Sequence, residues 1–293
     1  MLRMQRISKS FGSVHANRSI DLEVAPGRIV GLLGENGSGK TTLMNILFGI
    51  VSPDAGTITF KDRPLIGHAP RQAIAAGVGM IHQHFMLVPA MTVTENVMLG
   101  WEATGRWLHP SAVAKQIRDS STTYGLGLDP DARVELLPLG AQQRVEIVKA
   151  VLRGAELLVL DEPTSSLSPP EVANLLRILR HLRDEGRSVI FISHKLGEVL
   201  EICDEVVVLR DEVGNDEAFG PGGAGGTVDR GADIPADHHA GELVTIDAGR
   251  LDTARDLAVA EHDDLVTDLQ HLAELVRDED HRPALVTKVA QDP

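Results

Sequence analysis

The most specific chemical pattern in the sequence is a glycine-rich segment that ends in a lysine and a threonine. Residues 34–41 read Gly-Glu-Asn-Gly-Ser-Gly-Lys-Thr and match the pattern G-x-x-x-x-G-K-[ST]. Glycines let the backbone wrap closely around an anion and direct its N–H groups at phosphate oxygens. A predicted strand at Arg28–Leu33 precedes the segment, and a helix predicted from Lys40 to about Phe48 follows it. This context favours a phosphate-binding loop over a chance glycine-rich turn.

The same pattern assigns roles within the loop. We expect Lys40 to reach the β- and γ-phosphates of a nucleoside triphosphate, Thr41 to hold Mg²⁺ and Thr42 to contact the α-phosphate. The helix that follows directs the positive end of its dipole at the same anion. The predicted nucleotide-binding residues here are Gly34, Glu35, Asn36, Gly37, Ser38, Gly39, Lys40, Thr41 and Thr42.

Two adjacent carboxylates follow an apolar run much further along the chain. Leu157–Leu160 predicts a buried strand, and Asp161 and Glu162 come directly after it. A carboxylate at the end of such a strand can hold Mg²⁺ through its water shell, which is the role expected for Asp161. Glu162 can polarise a water molecule for attack on a phosphate. Apolar runs before Asp-Glu are frequent by chance, so this prediction depends on the phosphate-binding loop upstream.

Two more polar residues follow predicted strands, where open α/β sheets bind their ligands. His194 comes shortly after the apolar run Val189–Ile192, and Gln83 comes after a shorter apolar stretch. A capping or surface histidine is the alternative interpretation of His194, and Gln83 taken alone carries little signal. His82 and His84 flank Gln83, but no cysteine or carboxylate clusters near them, which argues against a metal site there.

The elements that must position these residues alternate between strand and helix. A helix predicted near Pro170–Arg183 lies between the strands at 157–160 and 189–192, which indicates a parallel sheet covered by helices. Residues 86–153 differ, because helical patterns dominate there and indicate a helical subdomain. Residues 1–85 contain short β-rich segments in addition to the loop.

Composition and charge exclude several classes of protein. The chain is 43% hydrophobic and 24% charged, as in globular proteins. No run approaches the roughly 18 consecutive apolar residues of a membrane span, and the N-terminus lacks the apolar core of a signal peptide. The single cysteine, Cys203, cannot form an internal disulfide, which fits a reducing compartment. Residues 1–210 hold 22 acidic and 22 basic side chains, so they offer no excess positive charge to a nucleic acid.

The C-terminal part of the chain is acidic and has a different composition. Residues 211–293 contain 20 acidic and 6 basic side chains, which accounts for the net charge of −14. Residues 221–226 predict a flexible linker, and residues 251–277 have the spacing of an amphipathic helix, with disorder as the alternative. The predicted organisation is therefore one domain at 1–212, with its helical subdomain at about 86–153, and a partly disordered or weakly helical tail at 213–293.

Five segments together resemble the ABC transporter ATPases in their order and spacing. They are the phosphate loop at Gly34–Thr41, the Q-loop at Gln83, the signature segment at Leu137–Glu146, the Walker B segment at Leu157–Glu162 and the H-loop at His194. The resemblance covers residues 1–210. It implies an α/β P-loop NTPase cassette with a RecA-like core sheet, an antiparallel β subdomain and an α-helical signature subdomain.

The resemblance also implies roles for individual residues. Phe11 is similar to the aromatic residue that stacks on adenine. The signature residues implied to contact nucleotide, across an interface with a second cassette, are Leu139, Gly140 and Gln142. The implied catalytic residues are Glu162, His194 and Gln83, and the implied Mg²⁺ site consists of Thr41, Gln83 and Asp161.

Four runs narrow the resemblance to the simple-sugar and nucleoside import ATPases, which usually carry two cassettes in one chain. They lie at residues 34–37, 82–89, 142–149 and 192–199. This implies ATP and Mg²⁺ as ligands, ATP hydrolysis coupled to solute uptake, and a peripheral position on the cytoplasmic side of the cell membrane. The implied partners are integral membrane permease subunits, a second ABC cassette and, indirectly, an extracytoplasmic solute-binding protein; nucleic acid is not among them.

Two positions depart from the family pattern. Pro138 stands where the signature usually carries Ser, and Ser168 stands where Asp is common. Proline lacks a hydroxyl and an N–H, and losing one charge-assisted hydrogen bond costs roughly 1.5–3 kcal/mol. One alternative is therefore a cassette that binds ATP but turns over slowly; another is a soluble, non-transport ABC ATPase. The acidic tail adds two hypotheses: a truncated or frame-disrupted gene, or a genuine interaction tail.

Overall fold

The computed structural model describes residues 1–34, 36–65, 67, 69–101, 109–211 and 241–247. The strands are Leu2–Phe11 (β1), Val14–Val24 (β2), Ile29–Leu33 (β3), Ala55–Phe60 (β4), Arg63–Pro64 (β5), Val78–Ile81 (β6), Leu157–Asp161 (β7), Ser188–Ile192 (β8), Glu205–Asp211 (β9) and Gly241–Asp247 (β10). The helices are Lys40–Phe48 (α1), Pro70–Ala76 (α2), Val93–Met98 (α3), Pro110–Tyr124 (α4), Leu139–Leu152 (α5), Pro169–Asp184 (α6) and Leu196–Ile202 (α7), with a 3₁₀ turn at Val134–Leu136.

A six-stranded sheet in the order β10-β9-β3-β8-β7-β6 forms the centre of the described chain. The pairs from β9 to β6 are all parallel. Their carboxyl ends therefore meet at one edge, which carries the residues after Leu33, Ile81, Leu160 and Ile192. The loop, the two carboxylates, Gln83 and His194 all follow these strand ends, as the predicted parallel sheet requires.

Both faces of this sheet are buried, which explains the continuous apolar runs of its strands. On β8, Val189 and Phe191 belong to one hydrophobic cluster, which includes residues from α5 and α6. Ile190 and Ile192 belong to another, which includes α1 and the second sheet. Side chains alternate between the faces of a strand, so each central strand contributes to two cores.

The second sheet is antiparallel and has the order β2-β1-β4-β5. Its apolar side chains, among them Met4, Ile20 and Phe60, are buried against the same cluster as α1. Helices α3, α4 and α5 form the helical part of the chain between β6 and β7. This arrangement confirms the predicted fold class. No helix among the described residues is long and apolar enough to cross a bilayer.

Residues 241–247, which the sequence analysis places in a partly disordered or weakly helical tail, form a strand instead. The strand β10 pairs antiparallel with β9 along its whole length, from Gly241 opposite Asp211 to Asp247 opposite Glu205. The sequence patterns indicate no strand here, and the seven-residue ladder places these residues in the central sheet. The linker predicted at 221–226 and the helix predicted at 251–277 lie outside the described residues.

Candidate active site

The phosphate loop connects β3 to α1 and is held in shape by close backbone packing. Gly39 has a φ of 89° and caps the N-terminus of α1. A Cβ atom there would lie 2.0 Å from the carbonyl oxygen of Ala16, so only glycine fits. The Lys40 side chain is buried, and its Nζ donates to the carbonyl oxygen of Gly34 at 2.7 Å. This bond folds the ammonium group over the loop, close to the backbone N–H groups that an anion would use.

A polar cleft brings together most of the predicted residues of the loop and the two carboxylates. The residues that line it are Asn36, Gly37, Gly39, Lys40, Thr41, Thr42, Gln83, Asp161 and Glu162. Gly34 and Ser38 are buried behind this surface, and the Ser38 hydroxyl accepts a bond from Lys40 Nζ at 3.4 Å. Glu35 lies outside the described residues. The loop and the two carboxylates, which the sequence assigns to one nucleotide site, thus line one cleft.

The donors in this cleft fit a hydrated magnesium ion. Thr41 Oγ1 donates to Asp161 Oδ2 at 3.4 Å, which places a hydroxyl and a carboxylate oxygen side by side. Burial raises the pKa of Asp161 above its usual value, and Glu162 adds to this, while the Thr41 hydroxyl, His82 and Lys40 oppose it. A buried carboxylate whose charged form is disfavoured gains from a nearby cation. Oxygen donors of this kind are the ones that Mg²⁺ prefers.

Glu162 sits in a strained turn directly after β7. Its φ is 47°, in the left-handed region that residues with a Cβ seldom adopt, and its N–H donates to the carbonyl oxygen of Ile192 at 3.0 Å. The turn leaves the side chain only 17% exposed, with Oε1 3.1 Å from His194 Nδ1. A protonated Nδ1 there donates to the carboxylate and fixes its orientation. Strain of this kind is concentrated at functional sites.

Three residues that could not be identified from the sequence connect the chain after Glu162 to the chain after His194. The Glu198 carboxylate accepts hydrogen bonds from the buried Thr164 hydroxyl and from Lys195 Nζ, the latter at 3.1 Å. Lys195 Nζ also donates to the Thr164 carbonyl oxygen at 3.4 Å. These bonds hold the two segments together behind the Glu162–His194 pair. The available signal was a glutamate one helical turn after the histidine, which alone does not identify its partner.

The signature segment forms the N-terminus of α5, where Pro138 is the N-cap and makes no side-chain cap. Its carbonyl oxygen accepts from the N–H groups of Ala141 and Gln142. Leu139 and Gln142 line a groove that also includes Gln83 and Glu162. Neither lines the cleft around Lys40, and the described residues thus place the signature segment on a neighbouring surface.

Gly140 packs directly against a carboxylate from α6. A Cβ atom at this position would lie 2.5 Å from Glu171 Oε1. The pKa of Glu171 is lowered, chiefly by the Ser168 hydroxyl and backbone N–H and also by the N–H of Gly140. The Glu171 carboxylate is therefore packed directly against this helix N-terminus.

Phe11, at the end of β1, remains a prediction as an adenine-stacking residue. Its ring is 51% exposed, and Lys9 Nζ lies 5.4 Å from the ring centroid. An exposed aromatic ring beside a cation is free to stack on a planar ligand. The ring does not line the cleft around Lys40.

Comparison with known proteins gives the context of this geometry. The sequence profile described as "ABC transporter" matches residues 17–165. The chain is 45% identical over 211 residues to the nucleoside import ATP-binding protein NupA of Lactococcus lactis subsp. cremoris. It is 46% identical over 240 residues to the glucose import ATP-binding protein TsgD13 of Haloferax volcanii. Each match covers 72% of this chain but only 42% and 44% of the relative, so the chain spans less than half the length of either.

Solved structures agree on the fold. The ADP conformation of MJ1267, an ATP-binding cassette of an ABC transporter, superposes with a TM-score of 0.65 and 26% identity, over 71% of this chain and 86% of that one. The dimeric structure of MJ0796, a bacterial ABC transporter cassette, gives a TM-score of 0.64 over 72% of this chain and 94% of that one. Its identity of 22% supports the fold alone.

Proposed function

Because the chain belongs to the ABC transporter family, we propose that it binds MgATP in the cleft around Lys40 and hydrolyses it to drive uptake of a simple sugar or a nucleoside. The observation that carries this proposal is the position of Asp161 and Glu162 beside the phosphate loop, with Thr41 Oγ1 3.4 Å from Asp161. The relatives are nucleoside and glucose import proteins, and they suggest the substrate class.

In this proposal the residues of the cleft, together with His194 and Phe11 outside its lining, have distinct tasks. Lys40 and the loop N–H groups bind the β- and γ-phosphates, and Thr41, Asp161 and Gln83 hold the magnesium ion. When bound, the ion neutralises charge on the phosphate oxygens. Glu162 accepts a hydrogen bond from the attacking water, and His194 keeps the carboxylate oriented. Phe11 stacks on the adenine.

The same proposal requires partners beyond this cleft. Leu139, Gly140 and Gln142 contact the γ-phosphate bound to a second cassette, where the helix N-terminus stabilises negative charge. Membrane permease subunits receive the motion, an extracytoplasmic solute-binding protein delivers the solute, and the chain acts at the cytoplasmic face of the membrane. Nucleic acid has no role in this scheme.

A second candidate function is a cassette that binds ATP but hydrolyses it slowly. The observation in its favour is the N-terminus of α5, where Pro138 supplies neither N–H nor hydroxyl and the Glu171 carboxylate packs directly against Gly140. Fewer donors then remain to stabilise the transition state of a partner's ATP.

Calorimetric titration of the full chain with ATP, in Mg²⁺ and in EDTA, tests the proposal. We expect saturable binding that is tighter with Mg²⁺, and a loss of at least roughly tenfold in affinity for Lys40→Ala, because a charge-assisted bond to phosphate is lost. The exposed Lys115→Ala on α4 is the matched control and should bind like the parent.

Hydrolysis is then measured with and without co-expressed permease subunits. Stimulation by the permease supports a transport ATPase, whereas binding without turnover supports the second candidate. No response to nucleotide in either titration would contradict both.

A further inference from the structure

Glu146 and Lys149 form an ion pair on the buried side of α5. Together they form hydrogen bonds to both backbone polar groups of Met86, a residue outside that helix. Glu146 Oε1 accepts from the N–H of Met86 at 3.0 Å. Lys149 Nζ donates to the carbonyl oxygen of the same Met86 at 3.4 Å. The pair is closed by Lys149 Nζ donating to Glu146 Oε2 at 3.1 Å. Met86 is therefore held at its N–H and its C=O by two side chains of opposite charge.

The burial of this pair is unusual for charged side chains. Glu146 is 7% and Lys149 17% exposed, although both carry a formal charge. Residues three apart on a helix lie on one face, so an ion pair between them needs no third partner to form. Burying it has a desolvation cost that the ion pair alone does not reliably recover. The Met86 backbone groups supply the extra hydrogen bonds that make the burial favourable.

The position of Met86 in the chain lets this contact connect two functional segments. Met86 comes three residues after Gln83, which lines the cleft around Lys40. Glu146 lies on the same helix as Gly140 and Gln142 of the signature segment. The ion pair is thus a direct connection between the segment that follows Gln83 and the helix that carries the signature.

We propose that Glu146 and Lys149 are positioning residues that make the Gln83 segment move together with α5. This inference rests on the proposed ATPase function. When α5 shifts as its N-terminus meets a second nucleotide, the pair pulls Met86, and Gln83 follows. Without the pair, Gln83 and the signature segment become independent, and ATP binds normally but is hydrolysed more slowly.

Reversing the pair, as Glu146→Lys together with Lys149→Glu, tests this idea. The reversal keeps an ion pair on α5 but places an ammonium group at the Met86 N–H and a carboxylate at its carbonyl oxygen. Both backbone bonds are lost while the charge balance of the helix is kept. The matched control is the reversal of the exposed pair Lys115 and Asp119 on α4, which contacts no backbone of the Gln83 segment.

We expect the reversed pair to lower kcat by roughly tenfold or more with KM for ATP within about twofold, since one lost hydrogen bond is worth about that factor. The control reversal should change neither. The single variant Glu146→Gln keeps an oxygen that can accept a hydrogen bond from the Met86 N–H, and it should retain most of the parental kcat. A reversed pair with the parental kcat would overturn the proposal.

Hydrogen exchange supplies a readout that does not depend on turnover. The Met86 amide should exchange at least about tenfold faster in the reversed pair, and MgATP should alter exchange over residues 83–88 in the parent only. Equal exchange in both proteins would also overturn the proposal. If the reversed pair does not fold, Lys149→Met and Glu146→Ala replace it with the same expectations. If the parent protein binds ATP without hydrolysing it, the ATPase function is refuted. The exchange rate of the Met86 amide still tests whether the ion pair holds this backbone position.

Discussion

The cleft around Lys40 and the N-terminus of α5 are assembled in different ways. In the cleft, the functional side chains are held by bonds within the chain, such as Lys40 to Gly34 and His194 to Glu162. At the start of α5, Pro138 offers no donor and Leu139 is 49% exposed. The cleft is preorganised for a ligand, whereas the helix end presents an exposed surface. Binding and activation of the nucleotide are therefore separable, and substitutions in the two regions should have different signatures.

The largest effect should come from Glu162→Gln in the cleft. The amide cannot accept the proton of the attacking water, so we expect single-turnover hydrolysis to fall about 10²- to 10⁴-fold while the Kd for ATP stays within about twofold. Rapid-quench measurements with excess protein give the rate. Glu201→Gln, at an exposed glutamate paired with Arg180, serves as the control and should hydrolyse like the parent. Equal rates for Glu162→Gln and the parent would remove Glu162 from the mechanism.

Asp161→Asn should weaken magnesium-dependent binding and stabilise the nucleotide-free protein. Burial raises the pKa of Asp161, so above that raised pKa the folded state carries the whole cost of the charge. The neutral amide removes the cost, and Tm should rise by about 2–4 °C for each kcal/mol gained.

The pH dependence provides the control for this prediction. As pH falls through the raised pKa towards the usual value of an aspartate, the wild-type carboxyl becomes neutral in the folded state and the Tm difference should shrink. In Asp161→Asn, the Mg²⁺ concentration needed for ATP binding should increase about 10- to 100-fold, as for other groups that support a metal site indirectly. A lower Tm for the variant at neutral pH would show that the charge is stabilising instead.

Pro138→Ser should raise the rate of hydrolysis instead of lowering it, and it should act only through the N-terminus of α5. Serine restores an N–H and a hydroxyl at the start of α5, and one recovered charge-assisted bond should raise kcat roughly tenfold with an unchanged Kd for ATP. A serine N-cap should also add about 1 kcal/mol of stability. Pro26→Ser, in an exposed turn, is the control. An unchanged kcat would mean that the start of α5 does not limit hydrolysis.

The residues that line the cleft could be identified from the sequence because each belongs to a recognisable local pattern. The glycines before Lys40, and the apolar strands that end at Asp161 and before His194, each define both an element and the edge of the sheet on which it ends. The contacts from Glu198 to Thr164 and from Glu146 to Met86 could not be predicted in this way. They join residues 34 and 60 positions apart through side-chain conformations that only the packed helices determine.

The strand β10 was missed for a different reason. Its residues, Gly241–Asp247, lie far along the chain from their partner β9, inside a region whose composition favours disorder. A strand of seven residues that pairs with a distant one carries little signal of its own, because pairing supplies most of its stability. The register identifies the connection: Asp211 faces Gly241, and Arg210 faces Glu242.

The smallest effect should follow from deleting residues 212–240, which lie between these paired ends. The deletion joins Asp211 to Gly241 and leaves Asp-Gly as a two-residue loop between Arg210 and Glu242, which is a favoured hairpin sequence. ATP affinity should stay within about twofold, and shortening the connection between β9 and β10 should add on the order of 1–2 kcal/mol of stability. Thermal unfolding and ATP titration measure both.

Deleting residues 212–247 is the informative contrast, because it also removes β10. One side of β9 then becomes an unpaired edge of the sheet. A Cβ atom on Gly34 would lie only 2.4 Å from the carbonyl oxygen of Leu209 in β9, so the strand packs directly against the phosphate loop and supports it. We expect this longer deletion to lower both Tm and ATP affinity. If the two deletions behaved alike, the pairing of β10 would contribute nothing to the cleft, and the cleft would owe its preorganisation to the parallel strands alone.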